Sequence, residues 1–153
     1  MSNIVIGIDP GKNGGIAWIL PDGSATVEKM PETLKDIWDL FDSIRWACLE
    51  CPRTKTGDKV VAYLETVHSS PQMGVKSSFT FGQGFGNLEM AVVGIGFKLE
   101  RIRPQAWQKA LGCLTGGDKN VSKRRAQELF PQLKITHATA DALLIAYYGT
   151  KQK

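Results

Sequence analysis

The apolar positions change period several times along the chain, and each change marks an element. Residues 3–9 (NIVIGID) are a β-branched apolar run closed by Asp9-Pro10-Gly11, which predicts a buried strand and a turn. Residues 14–20 (GGIAWIL) predict a second strand, Pro21-Asp22-Gly23-Ser24 a tight turn, and residues 24–30 a third strand. The chain therefore opens as an antiparallel meander. From Glu32 the period lengthens, and Leu34, Ile37, Trp38, Phe41, Arg45 and Cys48 fall on one helical face. Residues 52–58 predict a polar loop and residues 59–65 (KVVAYLE) a buried strand ending in an acid. Residues 66–78 are rich in Ser, Pro and Gly and predict a mobile loop.

Residues 84–95 are glycine-heavy but apolar at helical spacing, which predicts a helix packed closely on the sheet. Residues 97–103 predict a strand, and Pro104 the first residue of a short helix. A Gly-rich loop follows over residues 114–120, then a helix capped by Ser122 and running to Phe130, with Pro131 near its end. The last helix is predicted from about Thr136 to Tyr148. The order βββαβαβ followed by helices predicts one α/β domain over residues 1–153, its sheet covered by helices. In such sheets ligands bind beyond the carboxyl ends of the strands.

Composition narrows the partners without choosing among them. Hydrophobic residues make up 42%, enough for a core, and the net charge of +4 with a pI near 9.0 suits a polyanion. Three cysteines argue against a disulfide framework and for a reducing compartment. Cys48 and Cys51 have C-x-x-C spacing, but only Cys113, His68 and His137 could complete a zinc site, so ordinary thiols are the expected reading. The first residues carry no secretory pattern and no apolar run is long enough to span a bilayer. The expectation is a soluble cytoplasmic protein with no membrane partner.

Chemistry-bearing residues fall at the element ends. Asp9 closes the first strand and Glu65 the fourth. If those strands are parallel neighbours the two carboxylates meet, and they repel unless a cation or a proton lies between them. His137 and Asp141 are four residues apart and share a face of the last helix, which then turns apolar. Asp9, Glu65, His137 and Asp141 together are candidates to hold two metal ions roughly 3.5–4 Å apart, the arrangement used for in-line phosphodiester cleavage. Magnesium suits the carboxylates, with manganese as a substitute. Singly, each residue has a plainer reading: a turn former, a solvated acid, a helix-start histidine. Four such groups at three converging edges favour a site.

Several segments match one known family. IGIDPGKNGGIAW resembles the first motif of RuvC-like Holliday junction resolvases, YLETVHSS their second and THATADALLIAYYG their last. RPQAWQKALG at 103–112 and the K-x-x-S-K-x-x-A-x-x-L-F-P pattern at 119–131 resemble bacteriophage and related members. The resemblance spans nearly the whole chain in motif order. It implies an RNase H-like fold, a mixed five-stranded sheet with helices on both faces. It also implies a crossover junction endodeoxyribonuclease of recombination and repair, a homodimer making paired cuts in branched DNA, with Asp9, Glu65 and Asp141 as metal ligands. His137 stands where the family commonly has an acid. An aromatic wedge that opens the junction is implied after the fourth strand, where His68, Phe79 and Phe81 are the candidates.

Contacts to DNA phosphates are expected from Lys119, Lys123 and Arg124 around a helix start, with Arg125 assigned instead to a solvated helix face. Lys12 follows the Asp9 turn, Lys76 and Ser78 lie in the predicted loop, and Arg103, Gln105 and Lys109 surround Pro104. Trp107 is expected in the core rather than as a stacking platform. Three rivals stand beside this reading. The turn after Asp9 resembles the phosphate loop of actin-like and sugar-kinase ATPases, but their second half does not fit in 153 residues. A decayed, non-catalytic DNA-binding module conflicts with the intact acids. Another nuclease of the same fold, acting on flaps, forks or RNA:DNA hybrids, is not separated by the sequence.

Overall fold

β1 (Asn3–Asp9) is the strand around which the other elements assemble. The computed structural model describes residues 3–50, 59–114 and 116–152, without the side chains of 48–50 and 59. β1 turns at Gly11 into β2 (Gly15–Ile19), and β2 into β3 (Ala25–Lys29), both pairings antiparallel. On its other edge β1 pairs in parallel with β4 (Lys59–Glu65), which pairs in parallel with β5 (Lys98–Ile102). The sheet is five-stranded and mixed, in the order β3-β2-β1-β4-β5.

Each face of the sheet buries its own core, as alternation along the strands requires. On one face Ile6, Ile8, Ile16 and Leu64 pack under α1 (Leu34–Glu50) and α2 (Val75–Gly94). On the other Ala17, Ile19 and Ile102 pack under α3 (Pro104–Ala110), α4 (Lys119–Leu129) and α5 (His137–Thr150). The α/β class and helices on both faces are as expected.

Three boundaries differ, each for a physical reason. The buried stripe of α1 is Ile37, Phe41 and Ile44, while Leu34 and Trp38 are 65% and 44% exposed. Among the described residues α1 packs on the sheet and α2, and a narrow stripe covers those contacts. Helix α2 begins at Val75, nine residues before the predicted start, so Lys76 and Ser78 are helical rather than in a loop. Its first two turns are mostly exposed and carry no apolar period, and they propagate outward from the packed half. Asp118, not Ser122, caps α4, its side chain accepting from the Asn120 amide at 2.9 Å. Ser122 is buried within the helix. Thr136 caps α5 through a capping box with Thr139. Cys113 is a buried free thiol, whereas the C-x-x-C pair and the predicted 52–58 loop fall outside the described residues or side chains.

α5 is apolar nearly all round and lies close on the sheet. A Cβ at Gly7 of β1 would sit 2.1 Å from the Ala142 carbonyl, and one at Gly15 of β2 would sit 2.6 Å from that of Ala138. At the far end a Cβ at Gly149 would meet Val5 and Tyr63 at 2.5–2.6 Å. Glycine is therefore required at three contacts between α5 and the strands, and those contacts fix where the polar first turns of α5 sit.

Candidate active site

Two strand ends and one helix bring the acids together. The parallel register puts Ile8 opposite Leu64, so Asp9 and Glu65, one residue further on, lie side by side at the carboxyl edge. Asp141 faces them from the second turn of α5, held there by the close contacts at Gly7 and Gly15.

Electrostatics report how near the three groups are. Burial, then the charges of Glu65 and Asp141, raise Asp9 to about 8, with Lys119 opposing. Burial raises Glu65 to about 7, against a hydrogen bond from Trp107, and the charge of Asp141 adds to the rise. Asp9 feels the charge of Glu65 beside it, so the two titrate as one unit. Burial also raises Asp141, opposed by a hydrogen bond from Ser122 and by the charges of Lys119 and His137. Full ionisation of the edge is therefore unfavourable unless protons or a cation offset it.

The donor set suits a hard divalent cation. Three partly buried carboxylates in mutual repulsion are the oxygen ligands that magnesium takes, one or two directly and the rest through water. Among the described residues no three His, Cys, Asp or Glu side chains converge to full ligand spacing. Water-completed binding needs no such convergence. His137 opens α5 on the same side, exposed, with Nε2 3.0 Å from the Asn120 side-chain oxygen.

The remaining candidates fall into separate groups. Lys119 is exposed at the start of α4, and its charge lowers Asp9, Glu65 and Asp141 alike. Lys123 and Arg124 line a shallow polar hollow further along α4. Arg125 instead donates to the Leu111 carbonyl at 3.1 Å and to Glu128 at 3.2 Å. Lys12 and Lys76 line a cleft of about 570 Å³ between the Asp9–Gly15 turn and α2. Ser78 is half-buried in the first turn of α2, its amide bonded to the Gly74 carbonyl. Arg103, Gln105 and Lys109 are exposed around α3. Of the wedge candidates, His68 is exposed in the loop after β4 and Phe79 is 72% exposed on α2. Phe81 is half-buried, its ring 3.3 Å from where a Cβ of Gly11 would lie.

Three residues at the edge carry roles the sequence reading does not assign. Fully buried Trp107 donates its indole N–H to Glu65 Oε2 at 2.6 Å. Ser122 bonds Asp141, and Asn120 bonds His137. Trp107 carries one usable sign: a buried indole N–H needs an acceptor. The two α4 residues carry none.

The architecture is an RNase H-like fold. Within that class it matches the RuvC structures. Thermus thermophilus RuvC in complex with Holliday junction substrate superposes with a TM-score of 0.60 at 18% identity, over 97% of this chain and 92% of that one. A second Thermus thermophilus RuvC structure gives 0.57 at 18% identity, over 96% and 93%. The yeast mitochondrial Holliday junction resolvase Ydc2 gives 0.46 at 12% identity, over 96% and 77%. No family model matches the sequence, and no curated protein matches it closely enough to count.

Proposed function

We propose that this chain is a metal-dependent endonuclease that cuts four-way DNA junctions by paired, symmetric phosphodiester hydrolysis. One observation carries the reading: Asp9, Glu65 and Asp141 crowd one edge of a RuvC-type sheet, where burial raises all three. In this reading Asp9, Glu65 and Asp141 hold two Mg2+ ions with His137 as a further ligand, and Mn2+ substitutes. Bound divalent cations would supply an activated water and charge neutralisation at the leaving 3′-oxygen. Ser122 and Trp107 orient their carboxylates. Lys119 lies where a phosphate beside the carboxylates would pass, and Lys12, Lys123 and Arg124 extend the basic surface. Arg103, Gln105, Lys109, Lys76 and Ser78 contribute outer contacts, and His68 or Phe81 is left as the wedge, since Phe79 lies on the stripe of α2 that a second copy would cover.

Paired cuts need two copies, since one domain presents one such edge. The outer face of α2 supports a homodimer. Val75, Phe79, Met90 and Val93 are 89%, 72%, 66% and 56% exposed and fall on one stripe. Gly82 and Gly86 lie on the same stripe, and a Cβ at either would meet nothing within 4 Å. These glycines are therefore not needed for packing on the chain's own sheet. A second copy on this stripe would come close to the backbone there.

The test is cleavage of labelled four-way junction, fork, flap, RNA:DNA hybrid and duplex in magnesium. Symmetric paired nicks in the junction are expected, with Asp9→Asn, Glu65→Gln and Asp141→Asn each at least ~100-fold slower yet binding the junction normally. Intact junctions beside cut flaps or hybrids would replace junction resolution with another structure-selective nuclease. Full activity in any of the three variants would remove that residue from the site.

A further inference from the structure

We infer that Trp107 is a positioning residue for Glu65, fixing through its indole N–H which carboxylate oxygen is free to face a cation. The inference rests on the metal-site reading above. Three observations lead to it. Trp107 has no exposed surface, and it stands on α3, an element that supplies no acid to the edge. Its Nε1 donates to Glu65 Oε2 at 2.6 Å, a short and direct hydrogen bond. Glu65 is itself only 7% exposed, which leaves few other donors for that oxygen.

Geometry makes the contact more than packing. Indole nitrogen is a donor only, so it can bond the carboxylate but cannot ligate a cation in its place. With Oε2 engaged, the Glu65 side chain keeps one rotamer and Oε1 remains for the site. Asp9 lies beside Glu65 across the parallel pair, so the orientation of Glu65 decides whether the two carboxyls face one site. Trp107 is rigid in turn. It sits within the core under α3 and α5, among Leu111, Phe130 and Leu143. Partners that orient a metal ligand in this manner typically change metal affinity roughly 10–100-fold when removed.

The test measures the DNA-free protein. Mn2+ binding is followed by electron paramagnetic resonance for wild type, Trp107→Phe and Phe130→Leu, the last a core change of similar cost away from the acids. Trp107→Phe should bind Mn2+ at least ~10-fold more weakly, and Phe130→Leu should bind as wild type does. The chain has four tryptophans, so 15N–1H spectra give a small set of indole signals. Glu65→Gln should move the Trp107 signal upfield and leave the others in place. This readout stands even if Trp107→Phe fails to fold. Wild-type Mn2+ affinity in Trp107→Phe, or an unmoved Trp107 signal in Glu65→Gln, would overturn the assignment. Absence of Mn2+ binding in wild type, with the indole signal still moving, would instead overturn the metal-site reading.

Discussion

Replacing Asp9 with asparagine should make the metal-free protein more stable at alkaline pH, although it removes a proposed metal ligand. Asp9 is raised from 3.8 to about 8. A carboxyl whose pKa is raised on folding favours the folded state fully below the unfolded value. That favour is lost as pH climbs through the folded value. The window therefore runs from about 4 to about 8. Four tenfold steps at about 1.4 kcal/mol each give an upper bound of roughly 6 kcal/mol. Water reaches Asp9, which is only half-buried by surface, so about half of that bound, ~3 kcal/mol, is the working figure. For a domain of this size that is roughly 6–12 °C in Tm. The assay is thermal unfolding in EDTA from about pH 5.5 to about pH 8.5, a range that brackets the upper end of that window, wild type beside Asp9→Asn. The wild-type Tm should fall relative to the variant as pH rises, and at the alkaline end the variant should melt higher. Magnesium should then rescue wild type at alkaline pH and leave Asp9→Asn nearly unmoved. A wild type that stays level with Asp9→Asn across the range would show that the edge carries no uncompensated charge, and the argument for a cation there would fall.

Two further outcomes test the surroundings of the site. Gly7→Ala places a methyl 2.1 Å from the Ala142 carbonyl, so α5 must move; the expected cost is about 3 kcal/mol, read as a lowered Tm, whereas Gly84→Ala, with open space around it, should be neutral or slightly stabilising. Alanine at Lys119, Lys123 or Arg124 should weaken junction binding and reduce the slope of log affinity against log salt by about one for each phosphate no longer neutralised, and an unchanged slope at all three would put the DNA elsewhere.

Legibility in the sequence follows the strength of the periodic pattern. β1 and β4 are short apolar runs with mostly buried interiors, and their ends point to Asp9 and Glu65 directly. Asp141 is legible because a polar residue interrupts an otherwise apolar helix. The first turns of α2 are not, since an exposed helix start rich in serine and glycine has the composition of a loop. The role of Ser122 is hidden for a related reason. Both a cap and a buried hydroxyl suit a serine near a helix start, and only the packing of α4 on α5 separates them. Gly7 and Gly15 read as small strand residues, yet their function is in contacts with a helix at the opposite end of the chain, which no local pattern encodes.

That separation bears on how the protein comes into being. The central strand is the first element of the chain, and the helix that clasps it follows every other element in order. Closing so long a loop is slow compared with forming a hairpin or a helix. Until α5 docks, the face of the sheet carrying Ala17, Ile19 and Ile102 is uncovered and Asp141 is absent from the edge. Assembly of the proposed cutting centre and completion of the core are therefore a single event. A partly folded chain, or a nascent one still lacking α5, would be sticky and short-lived but harmless to DNA.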